Sequence, residues 1–313
     1  MDTLISMIIS AVGQGFIYAP MAVGVYIAFS ILKTPDLTVD GSFVVGMTAC
    51  AAVTVTGHPV AGIICGTIAG ALAGLCTGLL QTKLKINAIL SGILTMTGLY
   101  TVNYALLGGQ ANMYLQYETI NSTGNTIYNA SPTIYKQFMM LTGDVMTSAQ
   151  TVIVLTGIIV VLLCIAVSVF FKTRAGMAVR ATGDNEEMVR SSSINADLSR
   201  ITGVMLANAL VALSGALLCH SQRYADLNCG SGMLVMGLAS VIIGQVAIGD
   251  RSVVRGVISA ALGSVIYRII IQAAYKADMP SYSVKLISVV IVVIFLTAPL
   301  IGKSLKGRRR KDA

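Results

Sequence analysis

The sequence predicts an all-α fold: a polytopic transmembrane helical bundle of eight to ten spans, with a broken or re-entrant segment after the first span. Three observations carry this expectation. Of 313 residues, 55% are hydrophobic and only 11% are charged, whereas soluble domains carry about 25% charged residues. The mean hydropathy is +0.81. Apolar runs approaching the roughly 20 residues that a bilayer core demands recur along the whole chain, punctuated by Gly, Pro and basic residues.

Taken in order, the runs fall near 4–32, 43–57, 60–82, 87–107, 149–171, 200–221, 233–249, 254–275 and 284–302, a working count of nine within one membrane domain, 1–313. The first has no basic lead-in and no small-residue cleavage site, so it is expected to be retained rather than removed as a signal peptide. The Pro-broken stretch Pro35–Ser42 and the short run after it are where the chain either breaks or re-enters. The run 60–82 places Gly62, Gly66, Gly70, Gly74 and Gly78 four residues apart, a shallow ridge against which another helix can press. Between Gly108 and Ser148 lies the longest polar interval, long enough to be either a dock for an external partner or a passive cover.

Basic residues set the orientation. On one side fall 16 of the 21 Lys and Arg: Lys33, Lys83, Lys85, the five between Lys172 and Arg200, Arg251, Arg255 and the six of the tail. By the positive-inside rule this puts the C-terminus in the cytoplasm and the N-terminus outside a multi-pass protein of the cytoplasmic membrane. The tail Lys306–Lys311 reads as a charge anchor for the lipid bilayer. A net charge of +8 would suit nucleic acid, but the bases are dispersed between apolar runs with no aromatic pattern, so no nucleic-acid partner is expected.

Catalytic chemistry is not in view. Six cysteines show no C-x-x-C spacing, and His58 and His220 stand far apart, so neither a disulfide framework nor a metal site is expected. Gly302-Lys303-Ser304 ends like a phosphate-binding loop, yet Thr297 stands where the first glycine belongs. The chain is expected to be no enzyme and to hold no cofactor of its own. Its energy source is then a partner chain or an ion gradient.

Polar groups inside spans are costly and therefore mark interfaces or pathways. Asp36, Thr38, Asp40 and Ser42 in the broken stretch, with Thr95, Thr97, Asn103, Asn208 and Gln245 in later spans, are candidates for a substrate pathway. Helix-to-helix hydrogen bonding is the competing reading of each. Arg268, about seven residues inside its span, is expected to snorkel toward the outer edge, with contact to a substrate carboxylate as the alternative.

The loop 172–199 is cytoplasmic by the charge rule. Gly183-Asp184-Asn185 can cap a short helix whose first turn carries Glu186 and Glu187, favourable at the positive end of the helix dipole. Met188, Val189 and Ile194 give it an apolar edge. The run Ala181-Thr182-Gly183-Asp184-Asn185-Glu186, followed by Arg190 and by Ile194-Asn195, resembles the coupling loop of ABC transporter permeases of the branched-chain amino acid and ribose importer type. Three more landmarks follow the family in order: Pro35–Ser42, the small residues Ala207 to Ala216, and the Gly-rich stretch Gly230 to Gly244. Glu187, Met188, Ser193 and Gln245 depart from the family's usual residues and point to a divergent branch.

The resemblance implies an ATP-driven importer for a small polar metabolite, an amino acid above a sugar or nucleoside. It implies a second permease copy, most simply a homodimer. It also implies a cytoplasmic ATP-binding subunit that holds the ATP, and an extracytoplasmic substrate-binding protein. Ala181, Gly183, Asp184, Asn185, Glu186, Glu187, Arg190, Ile194 and Asn195 would then couple the chain to the ATPase. The rival reading, a gradient-driven secondary transporter, needs a carboxylate deep in a span. The sequence sets Asp36, Asp40 and Asp250 near span ends.

Overall fold

A computed structural model describes residues 2–120, 126–143 and 147–276, and beyond them residues 286, 289, 290, 293 and 297. The first helix, α1 (Asp2–Tyr26), keeps Pro20 inside it and continues as a π-helical turn over Ile27–Ile31. The helix stops at Lys33, whose left-handed backbone (φ 53°) turns the chain out of the axis, while the Thr34 amide donates back to the Ala28 carbonyl. Residues 33–38 are not helical, so the expected break after the first span is present; α2 (Val39–Thr54) follows at once.

The bundle goes on with α3 (Pro59–Thr82) and α4 (Ala88–Leu106), each starting where the sequence supplies a stop or a cap. Pro59 opens α3, where its missing N–H costs nothing. Asn87 opens α4 by accepting from the Ile89 amide. After the polar interval come α6 (Ser148–Phe170), α9 (Ala196–Gln222), α10 (Met233–Ile248) and α11 (Val253–Lys276). Among the described residues, six stretches are long and apolar enough to cross a membrane: Met7–Ile31, Pro59–Thr82, Ala88–Leu106, Ser148–Phe170, Ala196–Gln222 and Val253–Lys276. The protein is thus a multi-pass helical membrane protein.

The wider count of eight to ten spans would have to draw on α2 and α10, 16 residues each. At 1.5 Å per residue such helices reach about 24 Å, short of a bilayer core of about 30 Å. The expected last span, 284–302, and the basic tail fall largely or wholly outside the described residues.

The polar interval holds more structure than its composition suggests, and the fold is not purely helical. Strand β1 (Asn112–Tyr114) pairs antiparallel with β4 (Tyr224–Asp226), which follows α9 directly, and β2 (Gln116–Ile120) pairs with β3 (Thr126–Ala130). A short helix, α5 (Ile134–Leu141), closes the segment. Leu115 joins the two ribbons: its amide donates to the Arg223 carbonyl and its carbonyl accepts from the Ser131 amide. The interval therefore folds as a cap over one end of the bundle. The pairing of β1 with β4 escaped the sequence because it spans more than a hundred residues.

At the centre stands α9. The five ridge glycines of α3 are all buried. A methyl group built on Gly70 would strike the Ala212 side chain and approach the Asn208 carbonyl to 2.7 Å; one on Gly74 would meet the Val204 carbonyl at 2.6 Å. Gly62 and Gly66 face α2 instead, against the Cys50 and Gly46 carbonyls. On the opposite flank Gly46 and Gly215 close α2 onto α9, and Gly24 of α1 meets the Ala207 carbonyl at 2.5 Å. In lipid no hydrophobic force drives helices together, so this backbone proximity and its dispersion contacts are what hold them.

Filling the ridge should therefore cost stability. Gly70→Val is expected to lower the thermal midpoint of the detergent-solubilised protein, by an amount equivalent to about 1–3 kcal/mol of overpacking. Gly98→Ala on α4, where nothing lies within 4 Å of the new methyl, should leave the midpoint unchanged or raise it slightly, since Ala favours helix over Gly by about 1 kcal/mol. Equal midpoints for both variants, followed by circular dichroism, would remove the ridge from the account.

Candidate functional site

The unwound stretch after α1 puts backbone and polar side chains where apolar packing surrounds them, so every group there needs a partner. Asp36 and Thr38 are completely buried. One Asp36 oxygen accepts the Thr38 amide at 2.9 Å, and the other accepts the Asn208 side-chain amide at 2.7 Å. Thr38 Oγ1 shares a hydrogen bond with Thr77 Oγ1 of α3 at 2.8 Å. Asn208 sits midway along α9, so Asp36 lies at the middle of the bundle and not near a span end, as sequence spacing had placed it. The reason is that residues 33–38 leave the helix, and the left-handed Lys33 redirects the chain so that Asp36 comes beside α9.

Asp40, in the first turn of α2, reaches across to α10. Its two oxygens accept the Leu234 amide at 2.8 Å and the Gly232 amide at 3.2 Å. Gly232 is left-handed (φ 89°) and offers no side chain for capping, so a carboxylate from another helix performs the capping of α10. Gly230 lets the turn approach: a methyl there would collide with the Asp40 carbonyl.

Beside this cap lies a cleft of about 370 Å³, lined by Asp40, Gly41 and Val44 of α2, Met96, Thr97, Tyr100 and Asn103 of α4, and Leu227, Asn228, Gly230 and Ser231 before α10. Asn103 is held from behind, its Oδ1 accepting from Thr48 Oγ1 at 3.2 Å. Of the pathway candidates, Asp40, Thr97 and Asn103 line this cleft. Asp36, Thr38 and Asn208 form the buried cluster next to it. Ser42 is buried without a partner for its hydroxyl. Thr95 returns its hydroxyl to the Ser91 carbonyl of its own helix, and Gln245 donates to Ser30 at 3.2 Å, away from the cleft.

Tyr100, Met96 and the Asn228–Ser231 turn were not expected at the cleft. Met96, Tyr100 and Asn103 follow an i, i+4, i+7 spacing that marks one helix face; the turn is brought there only by the Asp40 cap. Arg268 does not snorkel. Its guanidinium carbon lies 3.6 Å from the centre of the Tyr18 ring, which is itself stacked on Phe43, and Nη2 points at the Met236 sulfur. A cation over an aromatic face in an apolar setting gains about 2 kcal/mol, which keeps it turned inward.

At the other end of the bundle, residues 172–195 form two helices, α7 (Arg174–Asp184) and α8 (Glu186–Ser191). Asn185 is extended between them: it ends α7 and caps α8, its Oδ1 accepting the Met188 amide at 3.0 Å. Asn195 caps α9 the same way, through the Leu198 amide. Gly183 is pressed against the Ile31 carbonyl at the end of the first span, where no side chain would fit. Val179 and Val189 are buried as anchors.

Glu186 accepts from Arg190 at 2.8 Å and from Arg200, and Arg190 also pairs with Asp197. Glu186 first, then Asp197, hold the Arg190 guanidinium above its ordinary range. Lys33 reaches Asp184 at 2.7 Å, but both side chains are exposed and such a pair is worth little. Thus Gly183, Asp184, Asn185, Glu186, Arg190 and Asn195 bind the loop together, and Ala181 stands half-buried beside them. Glu187, Met188 and Ile194 face outward. Exposed Met177, Ile194 and Leu198 edge a groove of about 610 Å³ between α7 and the start of α9.

Residues 7–296 match the family described as "Branched-chain amino acid transport system / permease component". The chain is similar to a tyrosine transport system permease protein of Clostridioides difficile (strain R20291), 32% identical over 305 residues, covering 97% of this chain and 95% of that protein. It is also 27% identical to an uncharacterized protein of Rickettsia prowazekii (strain Madrid E), covering 94% and 98% of the two chains. No solved structure matches.

Removing the Asp40 carboxylate should loosen α10 without disturbing the Asp36 cluster. Asp40→Ala is expected to cost about 1 kcal/mol, as for other lost caps, and to speed amide exchange at residues 232–236 selectively. Asp36→Ala should be the more severe, because Asn208 and the Thr38 amide both lose a buried acceptor, at about 1–3 kcal/mol for each group left unpaired. Exchange mass spectrometry and melting in the same detergent compare them; uniform protection at α10 in Asp40→Ala would end the capping assignment.

Proposed function

Because this chain belongs to the family of branched-chain amino acid transport system permease components, we propose that it is the membrane-spanning subunit of an ATP-driven ABC importer for an amino acid. The observation that carries the ATP-driven part is the folded element α7–α8. It is braced internally by Gly183, Asn185 and Glu186, yet it turns Met177 and Met188 outward, and Ile194 and Leu198 just after it are exposed as well. A loop with no partner gains nothing by exposing large apolar side chains on and beside a groove. A helical handle that transmits motion needs both properties, a stiff base and an apolar face.

In this reading a cytoplasmic ATP-binding subunit holds the ATP and docks on that face. A second copy of the chain, in a homodimer, completes the pathway, and an extracytoplasmic binding protein delivers the substrate. The N-terminus lies outside and the C-terminus in the cytoplasm, as the distribution of Lys and Arg favours. The cleft lined by Asp40, Thr97, Tyr100 and Asn103 is the substrate surface: a carboxylate, a hydroxyl, an amide and an aromatic ring suit a zwitterion with a side chain to stack. The relative named for tyrosine transport supports an amino acid as cargo. The Asp36–Thr38–Asn208 cluster keeps the broken segment in place behind that surface.

Two measurements test this. When the chain is co-expressed with its cognate ATP-binding subunit, Met188→Asp and Ile194→Asp should each reduce co-purified ATPase at least about tenfold, the scale of a desolvated apolar anchor replaced by a charge, while the melting midpoint stays near that of the unaltered protein. Retention of the ATPase by both variants would remove α8 as the docking face. In proteoliposomes with the cognate binding protein, Tyr100→Ala and Asn103→Ala should depress ATP-dependent amino acid uptake without lowering ATPase recruitment.

A further inference from the structure

At the end of the bundle where β1 and β4 pair, α5, α6 and α9 enclose a cavity of about 440 Å³ that plays no part in the reading above. Its wall carries two basic side chains, Lys136 of α5 and Arg223 at the end of α9, and no described acidic side chain lines it. Between them stand Ser131, Thr133, Thr151 and His220, each at most 3% exposed. Burial without a partner is costly for such groups. Ser131 Oγ and His220 Nδ1 nevertheless have none.

The surrounding fold sets these groups deliberately close. Leu115 bonds through its amide to the Arg223 carbonyl and through its carbonyl to the Ser131 amide, so one residue clamps two walls of the cavity. Arg223 is left-handed (φ 62°), which ends α9 and turns the chain toward β4. His220 is fixed from behind, its Nε2 3.3 Å from the Cys50 sulfur. With Nε2 accepting the hydrogen bond of the Cys50 thiol, the single proton of the neutral ring sits on Nδ1, which is then a donor. The first turn of α6 contributes to the same wall and adds the positive end of its dipole.

Two cations, two buried groups able to donate and a helix N-terminus converge on one space. We infer that this cavity binds a phosphate-class oxyanion, held by Lys136 and Arg223 with donation from Ser131 and His220. A phosphate offers three or four acceptor oxygens for these donors, where a carboxylate offers two. The same chemistry has two sources here: the headgroup of an anionic phospholipid, for which Val152 and Met139 supply an apolar margin, or free phosphate from the aqueous side.

The test uses delipidated, detergent-purified full-length chain, with melting followed by circular dichroism and bound lipid counted by native mass spectrometry. The probes are mixed micelles of phosphatidylglycerol or phosphatidylcholine, inorganic phosphate, and sodium acetate at matched ionic strength. The midpoint should rise with phosphatidylglycerol or inorganic phosphate and not with acetate. In Lys136→Gln/Arg223→Gln, the apparent affinity should fall by about tenfold or more, as expected for losing hydrogen bonds to charged groups. Both side chains are exposed, so this variant should fold; Ser131→Ala gives a second, smaller reading, and Arg251→Gln/Arg255→Gln at the opposite end should change nothing. A response to phosphatidylglycerol alone names a lipid headgroup, and one to inorganic phosphate as well names the free ion. No response to either, an equal response to acetate, or an undiminished response in the double variant overturns the inference.

Discussion

The close approach of α3, α2 and α1 to the backbone of α9 is the constraint from which the rest of the architecture follows. Gly24, Gly46, Gly70, Gly74 and Gly215 each stand where a Cβ would collide with, or press hard on, a neighbouring helix. Removing side chains from these positions lets the helix axes close until carbonyl and methylene groups touch, and many weak dispersion contacts replace the hydrophobic force that lipid does not provide. Hydroxyls within the spans conform to the same logic. Thr54, Thr77, Thr82 and Thr95 donate to carbonyls four residues back, so their hydroxyl protons need no partner on another helix.

Such tight packing around α9 makes a break in the bundle tolerable. The non-helical residues after Lys33 expose backbone in an apolar interior, and Asp36 resolves much of that cost by accepting one bond from its own segment and one from Asn208. Asp40 then uses the start of α2 to cap α10. Two carboxylates only four residues apart thus tie the first hairpin to α9 and to α10. A cleft forms beside them because α10 must begin at the height of Asp40 and not at the membrane surface. The candidate substrate surface is therefore a product of how the broken helix is stabilised.

The opposite end obeys a different requirement. The element α7–α8 is anchored by Val179 and Val189 below, by Gly183 against the first span, and by Glu186 between two arginines. Residues that hold a short helix rigid and residues that meet a partner are then different sets. Sequence likeness groups them as one motif, Ala181–Asn195, whereas the geometry separates bracing positions from the outward Glu187, Met188 and Ile194. A substitution at Gly183 or Glu186 would disturb the element itself and so says little about docking.

Much of this was legible in the sequence because membrane solvation acts residue by residue. Of the nine apolar runs read from the sequence, six contain the long helices found among the described residues, four-residue glycine spacing gives the ridge on α3, and Pro35 with two aspartates announces the break after α1. The cap at Asn185 and the helix it begins were equally local. What needed the tertiary structure were the pairings at a distance. Sequence could not show that Asp36 meets Asn208 at the middle of α9, that Asp40 caps a helix 190 residues away, that Arg268 turns inward onto Tyr18, or that β1 finds β4. These depend on which faces of packed helices come to the same height, and the non-helical residues 33–38 help to set that height. Local solvation preferences therefore determined what the elements are, and only the packing around α9 decided which polar groups meet.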